Sequence, residues 1–135
     1  MKRVVVTGIG AITPIGNNIP AYLEGLQRGA SGAGPITQFD PTQFKTRFAC
    51  EVKGFIPEDF IDRKEVRRMD RFTQFALVAA AEGLRDSGLD LENIDKQRVG
   101  VIWASGIGGL HTLEKEIEDH ITGNGIPRHN PFLIP

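Results

Sequence analysis

The stretch from Arg63 to Asp86 constrains this chain more than any other part of its sequence. Val66, Met69, Phe72, Phe75, Ala76, Ala79, Ala80, Gly83 and Leu84 recur at intervals of three and four, the spacing of one face of a helix. Ser87-Gly88 stops that helix. On either side lie two short apolar runs. Residues 2 to 8 are β-branched and end in Gly8, and residues 98 to 104 lead into the small-residue hinge Ser105-Gly106-Ile107-Gly108-Gly109. Both runs read as buried strands. Asn17 or Asn18 caps a short helix through Tyr22, Leu23 and Leu26, which Gly29 ends, and Leu110 to Ile121 repeats the helical spacing up to Gly123. Residues 31 to 57 carry Phe39, Phe44, Phe48 and Phe55 among turn formers, which predicts irregular structure with one or two short extended segments. Strands alternating with helices predict an α/β layer with parallel strands.

At 135 residues, 40% hydrophobic and 24% charged, the chain has the size and balance of one domain with a useful core. A net charge of -1 points to neither nucleic acid nor a membrane as partner. No apolar run is long enough for a membrane span. Met1-Lys2-Arg3 opens like a signal peptide, but Val4-Val5-Val6 meets Thr7-Gly8 almost at once and no cleavage site follows, so a cytoplasmic protein is expected. The single cysteine, Cys50, excludes an internal disulfide framework and fits a reducing compartment. The last segment, Ile126 to Pro135, ends on Phe132-Leu133-Ile134 with nothing in the sequence to cover those side chains, and it reads as a domain caught in mid-course.

Local charge is more informative than bulk charge. Lys64 and Arg67 are an i,i+3 pair, and Lys64 and Arg68 an i,i+4 pair, so all three are expected on one side of the helix start. Like charges at that spacing repel by a few tenths of a kcal/mol, roughly the size of ordinary helical pair energies. The helix macrodipole also disfavours cations at this end. An anionic partner would offset both costs, and so would a solvated face neutralised by Asp62, Glu65 and Asp70; the residues alone fit both readings. Cys50 has no base beside it in sequence and reads as a small buried hydrophobe. His111, His120 and His129 are spaced for no metal set and read as solvated or capping residues. The remaining competitor is an NAD(P)-dependent Rossmann enzyme, suggested by Thr7-Gly8-Ile9-Gly10 after a strand. Its fingerprint needs glycine where Thr13 stands, and the short-chain dehydrogenase variant needs glycines at Ile12 and Pro14, so both patterns fail.

Four stretches, in order, carry a specific likeness. They are Val4-Val5-Val6-Thr7-Gly8-Ile9-Gly10 with Thr13-Pro14-Ile15-Gly16; Phe39-Asp40, Phe44, Thr46 and Phe48-Ala49; Arg63-Lys64-Glu65 with Arg67-Arg68-Met69-Asp70, leading into Phe72, Gln74 and Ala76; and Ser105-Gly106-Ile107-Gly108-Gly109 with Pro131-Phe132. Together they resemble the β-ketoacyl-acyl-carrier-protein synthases of the condensing-enzyme family, nearest the synthase II type of bacterial fatty-acid synthesis.

The resemblance implies an α/β thiolase-like fold of two similar halves, a homodimer, and a decarboxylating Claisen condensation. In that reaction a cysteine takes an acyl chain as a thioester. Malonyl-carrier loses carbon dioxide and its carbanion attacks the thioester, with two histidines and backbone N–H groups supporting the charges. It further implies that residues 1 to 135 are the N-terminal part of a ketosynthase domain, an incomplete βα layer that stops before the nucleophile and both histidines. No residue of this chain is then catalytic, and the chain alone is expected to be inactive and either poorly stable or oligomeric. No cofactor or metal is implied. The partners implied are acyl carrier protein and acyl and malonyl thioesters. Lys64, Arg67 and Arg68 match positions that receive the acidic face of the carrier. Ile107 matches the gate of the acyl pocket, and Phe132 a segment near the dimer interface and the bottom of the acyl tunnel; core packing fits those two equally well. A non-catalytic carrier-binding or scaffold protein remains the alternative of a different class, decided by what the gene encodes after Pro135.

Overall fold

The computed structural model describes residues 3–123. The first helix, α1 (Ile19–Gln27), begins where a side chain can take up its free N–H groups. Asn18 is the cap, its Oδ1 accepting from the Ala21 N–H at 2.8 Å, and Gly29 turns the chain left-handed just past the end. Residues 31 to 57 are irregular as expected, with two short strands, β1 (Gly34–Pro35) and β2 (Phe48–Ala49). They pair antiparallel, Gly34 opposite Ala49 and Pro35 opposite Phe48.

The helix expected over 63 to 86 is two helices. A single turn, α2 (Arg63–Val66), is followed by the long α3 (Arg71–Ser87), which Gly88 closes at φ 64°. Asp70 makes the break. Its extended backbone (ψ 158°) cannot continue α2, while its carbonyl accepts the first N–H groups of α3, from Thr73 and Gln74. Val66 and Met69 keep the apolar spacing across this break, so periodicity alone runs straight through it. The last helix, α4 (Leu110–Thr122), starts from Gly109 at φ 69° and ends at Gly123, close to its expected bounds.

The core gathers where α3 meets the segment before α2. Phe55 is 6% exposed, and Val78 and Ala79 are buried beside it in α3. The Phe55 ring stacks on Phe60, centroids 6.2 Å apart, and meets Phe75 edge-on at 5.0 Å. The Arg71 guanidinium lies 4.9 Å from the Phe55 ring centroid and 5.1 Å from that of Phe75, and donates to the Phe55 carbonyl.

Neither of the two apolar runs read as buried strands forms a strand among the described residues, and neither is buried. Val4 is 94% exposed and Ile102 97%, and among the described residues neither run has a ladder partner. A strand completes its hydrogen bonds only through neighbours, and parallel neighbours arrive by crossovers from elsewhere in the chain. A β-branched run therefore specifies a strand without specifying what covers it. Among the described residues, no helix is long and apolar enough to cross a membrane.

Candidate functional site

The basic turn is held at both ends. At its start the Asp62 carboxylate accepts from the Lys64 backbone N–H at 2.8 Å, the usual way an aspartate caps a helix. At its end the Gln74 side chain reaches back from α3, and its Nε2 donates to the carbonyls of Val66, at 3.1 Å, and Met69, at 3.0 Å. Between these clamps Lys64, Arg67 and Arg68 are all exposed.

The helix expected to carry all three ends after one turn. After α2 the backbone tightens to i→i+3 bonds, Arg68 N–H to the Glu65 carbonyl and Met69 N–H to that of Val66. The tightening falls on the Glu65–Arg68 and Val66–Met69 steps, so Arg68 follows a narrower turn than the α-helical spacing predicts. Arg68 is engaged by Glu65 at 3.0 Å, with both side chains about half exposed, 50% and 47%. A pair that open to solvent contributes little to stability but fixes where the charge sits. Lys64 and Arg67 have no ion pair among the described residues. Neutralisation by neighbours is thus confined to Arg68. Asp62 is engaged with a backbone N–H, and Asp70 accepts a hydrogen bond from the Thr112 hydroxyl of α4.

That bond ties the basic turn to the hinge. Gly109 packs so close to the Asp70 carboxylate that a Cβ there would meet it at 2.8 Å, and a Cβ on Gly108 would strike the Phe72 ring at 2.6 Å. Ile107, just before them, is 74% exposed and makes no part of the core. An apolar groove of about 230 Å3 reaches the start of the hinge, lined among others by Ile12, Phe72, Phe75, Ala79, Trp103 and Ser105. Phe132 lies outside the described residues, as does His129.

A third contact set was not foreseen from the sequence. Glu82 and Asp86, one turn apart on α3, accept backbone N–H groups from the first loop: Glu82 from Ala11 at 3.0 Å and Ile19 at 2.8 Å, Asp86 from Ile9 at 2.9 Å. Gly8 and Gly10 let that loop lie against the backbone of α3 around Ala79, Gly83 and Ser87, where any Cβ would overlap main-chain atoms. These glycines face a helix rather than an open phosphate site, which agrees with the failure of the dinucleotide fingerprint. The signal available in sequence was an i,i+4 carboxylate pair at the end of a helix, opposite a loop with spare N–H groups.

Cys50 is exposed, contrary to the expected burial, because it follows the two-residue strand β2 at the rim of the small sheet. His111 and His120 are exposed on α4, and among the described residues no cluster of His, Cys, Asp and Glu is arranged to hold a metal ion.

The profile of the beta-ketoacyl synthase N-terminal domain matches residues 1–132. A 3-oxoacyl-[acyl-carrier-protein] synthase 2 from Synechocystis sp. is 46% identical over 134 residues, and one from Staphylococcus aureus 44% over 137 residues. Each alignment takes in 99% of this chain and 32% of the relative, so the chain spans about a third of the length of these relatives. Two solved structures share its fold. One, described as the ishigamide ketosynthase/chain length factor, superposes with a TM-score of 0.74 at 32% identity, over 96% of this chain and 32% of its own. The other is a type II polyketide synthase ketosynthase in complex with its acyl-carrier protein. It superposes at 0.72 with 27% identity, over 98% of this chain and 34% of its own.

Proposed function

This chain belongs to the β-ketoacyl synthase family and has its thiolase-like fold, and from that premise we propose that it supplies the carrier-docking and acyl-pocket portion of a 3-oxoacyl-acyl-carrier-protein synthase of the synthase 2 type. The observation that carries this reading is 46% identity to such a synthase along 99% of the chain. The whole enzyme joins an acyl group, held as a thioester on a cysteine, to malonyl-carrier. Carbon dioxide leaves, a carbon–carbon bond forms, and the cysteine thiol is released as 3-oxoacyl-carrier departs. We place it in cytoplasmic fatty-acid synthesis, as a homodimer.

Within that enzyme Lys64 and Arg67, exposed and without ion pairs among the described residues, receive the acidic surface of acyl carrier protein, with Arg68 beside them. A ketosynthase of the same fold is known in complex with its carrier, which supports the choice of partner. Ile107 contributes to the acyl gate: it is exposed, two residues after Ser105, which lines the apolar groove, and a side chain there can move without disturbing the core. Phe132 is assigned to the acyl tunnel on the resemblance alone.

Exposed charges act mainly through steering, so the effect should appear in association and depend on salt. In the full-length synthase, K64A/R67A/R68A should slow association with acyl carrier protein by about tenfold or more at low salt, with a smaller loss at high salt. Stopped-flow binding measures both. An unchanged association rate at low salt would remove the docking assignment.

A further inference from the structure

We propose that Gln74 is the positioning residue of the carrier-docking turn, an inference that rests on the docking assignment above and extends it to a side chain the carrier never touches. The turn α2 has four residues, none of them buried. One helical turn is far too short to persist by its own hydrogen bonds, so its place must be set from outside. Asp62 fixes only its first turn. Beyond the other end the Val66 carbonyl takes only a long bond from the Met69 N–H, and the two Gln74 amide hydrogens go to the Val66 carbonyl and to that of Met69, which follows the turn.

The environment of Gln74 shows that packing alone did not select it. The residue is 7% exposed, in a helix face otherwise made of Val78, Ala79 and aromatic rings. Its Oε1 is buried and accepts from no group among the described residues. A buried acceptor without a donor is costly, and a hydrocarbon chain of the same length would avoid that cost. What the amide supplies in return is the pair of donors that hold the end of the turn. Losing them frees the turn that carries Lys64 and Arg67, and the carrier must then order it on binding.

The test uses the full-length synthase with Q74M, which keeps length and apolar fit but has no donor. The Michaelis constant for the carrier-borne substrate should rise about tenfold, near the loss of one good hydrogen bond. Its kcat, and turnover of the coenzyme A thioester that bypasses the carrier, should stay within about twofold of wild type. Q74E, with the same shape and oxygens facing the carbonyls, should behave at least as badly toward the carrier. A carrier Michaelis constant unchanged in Q74M but raised in K64A/R67A/R68A would overturn the role of Gln74 and leave docking intact. If neither variant moves it, the docking assignment falls and takes this inference with it. An equal loss with coenzyme A thioester, or failure of both Gln74 variants to fold, would make Gln74 a structural residue and refute the proposal.

Discussion

Residues 55 to 88 and the two apolar runs at 3 to 8 and 99 to 104 are all rich in hydrophobic side chains, yet they end in opposite conditions. The first region buries Phe55, Gln74, Val78 and Ala79, though Phe60 and Leu84 stay partly open, while Val4, Val6, Val101 and Ile102 stand fully exposed. The difference is one of backbone accounting. A helix makes its hydrogen bonds within itself and needs only one stripe covered. A strand must borrow partners along both edges before its faces can be buried. Apolar sequence is therefore sufficient for the first region and only a request in the second.

The comparison breaks most visibly if the 135-residue polypeptide, expressed alone, sediments as a monomer with a sharp cooperative melt. We expect self-association instead, because contiguous exposed apolar surface beyond a few hundred Å2, roughly, is where association begins and unpaired strand edges add a second route.

A smaller effect separates buried from exposed positions in the full-length synthase. Phe55→Ala should lower stability by about 3–5 kcal/mol, since it empties the place where two rings and the Arg71 guanidinium converge. Ile107→Ala should change it by less than about 0.5 kcal/mol, as expected for a position 74% exposed. Chemical denaturation measures both, and equal losses would show that the hinge is as tightly packed as the core.

The smallest expected effect lies outside both regions. The Thr37 hydroxyl donates to Glu51 at 2.6 Å and the Thr37 N–H at 3.0 Å, and these bonds hold the Glu51 carboxyl below its ordinary 4.5. A depressed carboxylate adds stability above its unfolded pKa and loses it as pH falls through the folded one, so the link between residues 37 and 51 should loosen only in acid. Carbon-detected NMR titration of the Glu51 carboxyl should show a midpoint below 4.5, returning toward it in Thr37→Val. A wild-type midpoint at or above the ordinary value would contradict the assignment.

What could be read in advance divides along the same line. The bulk of α3, the Asn18 cap of α1 and the Gly88 and Gly123 stops follow from local chemistry, and all are found. The break at Asp70 was hidden because Val66 and Met69 keep the helical period on both sides of it. Asp70, a capping residue type inside the apparent helix, was the available warning. The basic turn was visible as charge, but its clamps were not. A glutamine amid apolar positions declares no partner, and the carbonyls it meets become neighbours only once α2 and α3 have separated. The partners of Glu82 and Asp86 were hidden for the same reason, since they lie 63 to 77 residues away.

The Glu82 and Asp86 contacts have a consequence for variation. They take hold of the main chain at Ile9, Ala11 and Ile19 and of no side chain there. Recognition of that kind is blind to residue identity: every amino acid but proline offers the same N–H. The loop's seat on α3 is thus inheritable separately from its sequence. Loops exchanged between homologues should dock in register so long as Gly8, Gly10 and the two carboxylates travel with the graft, while a proline at any of the three donor positions would unseat it.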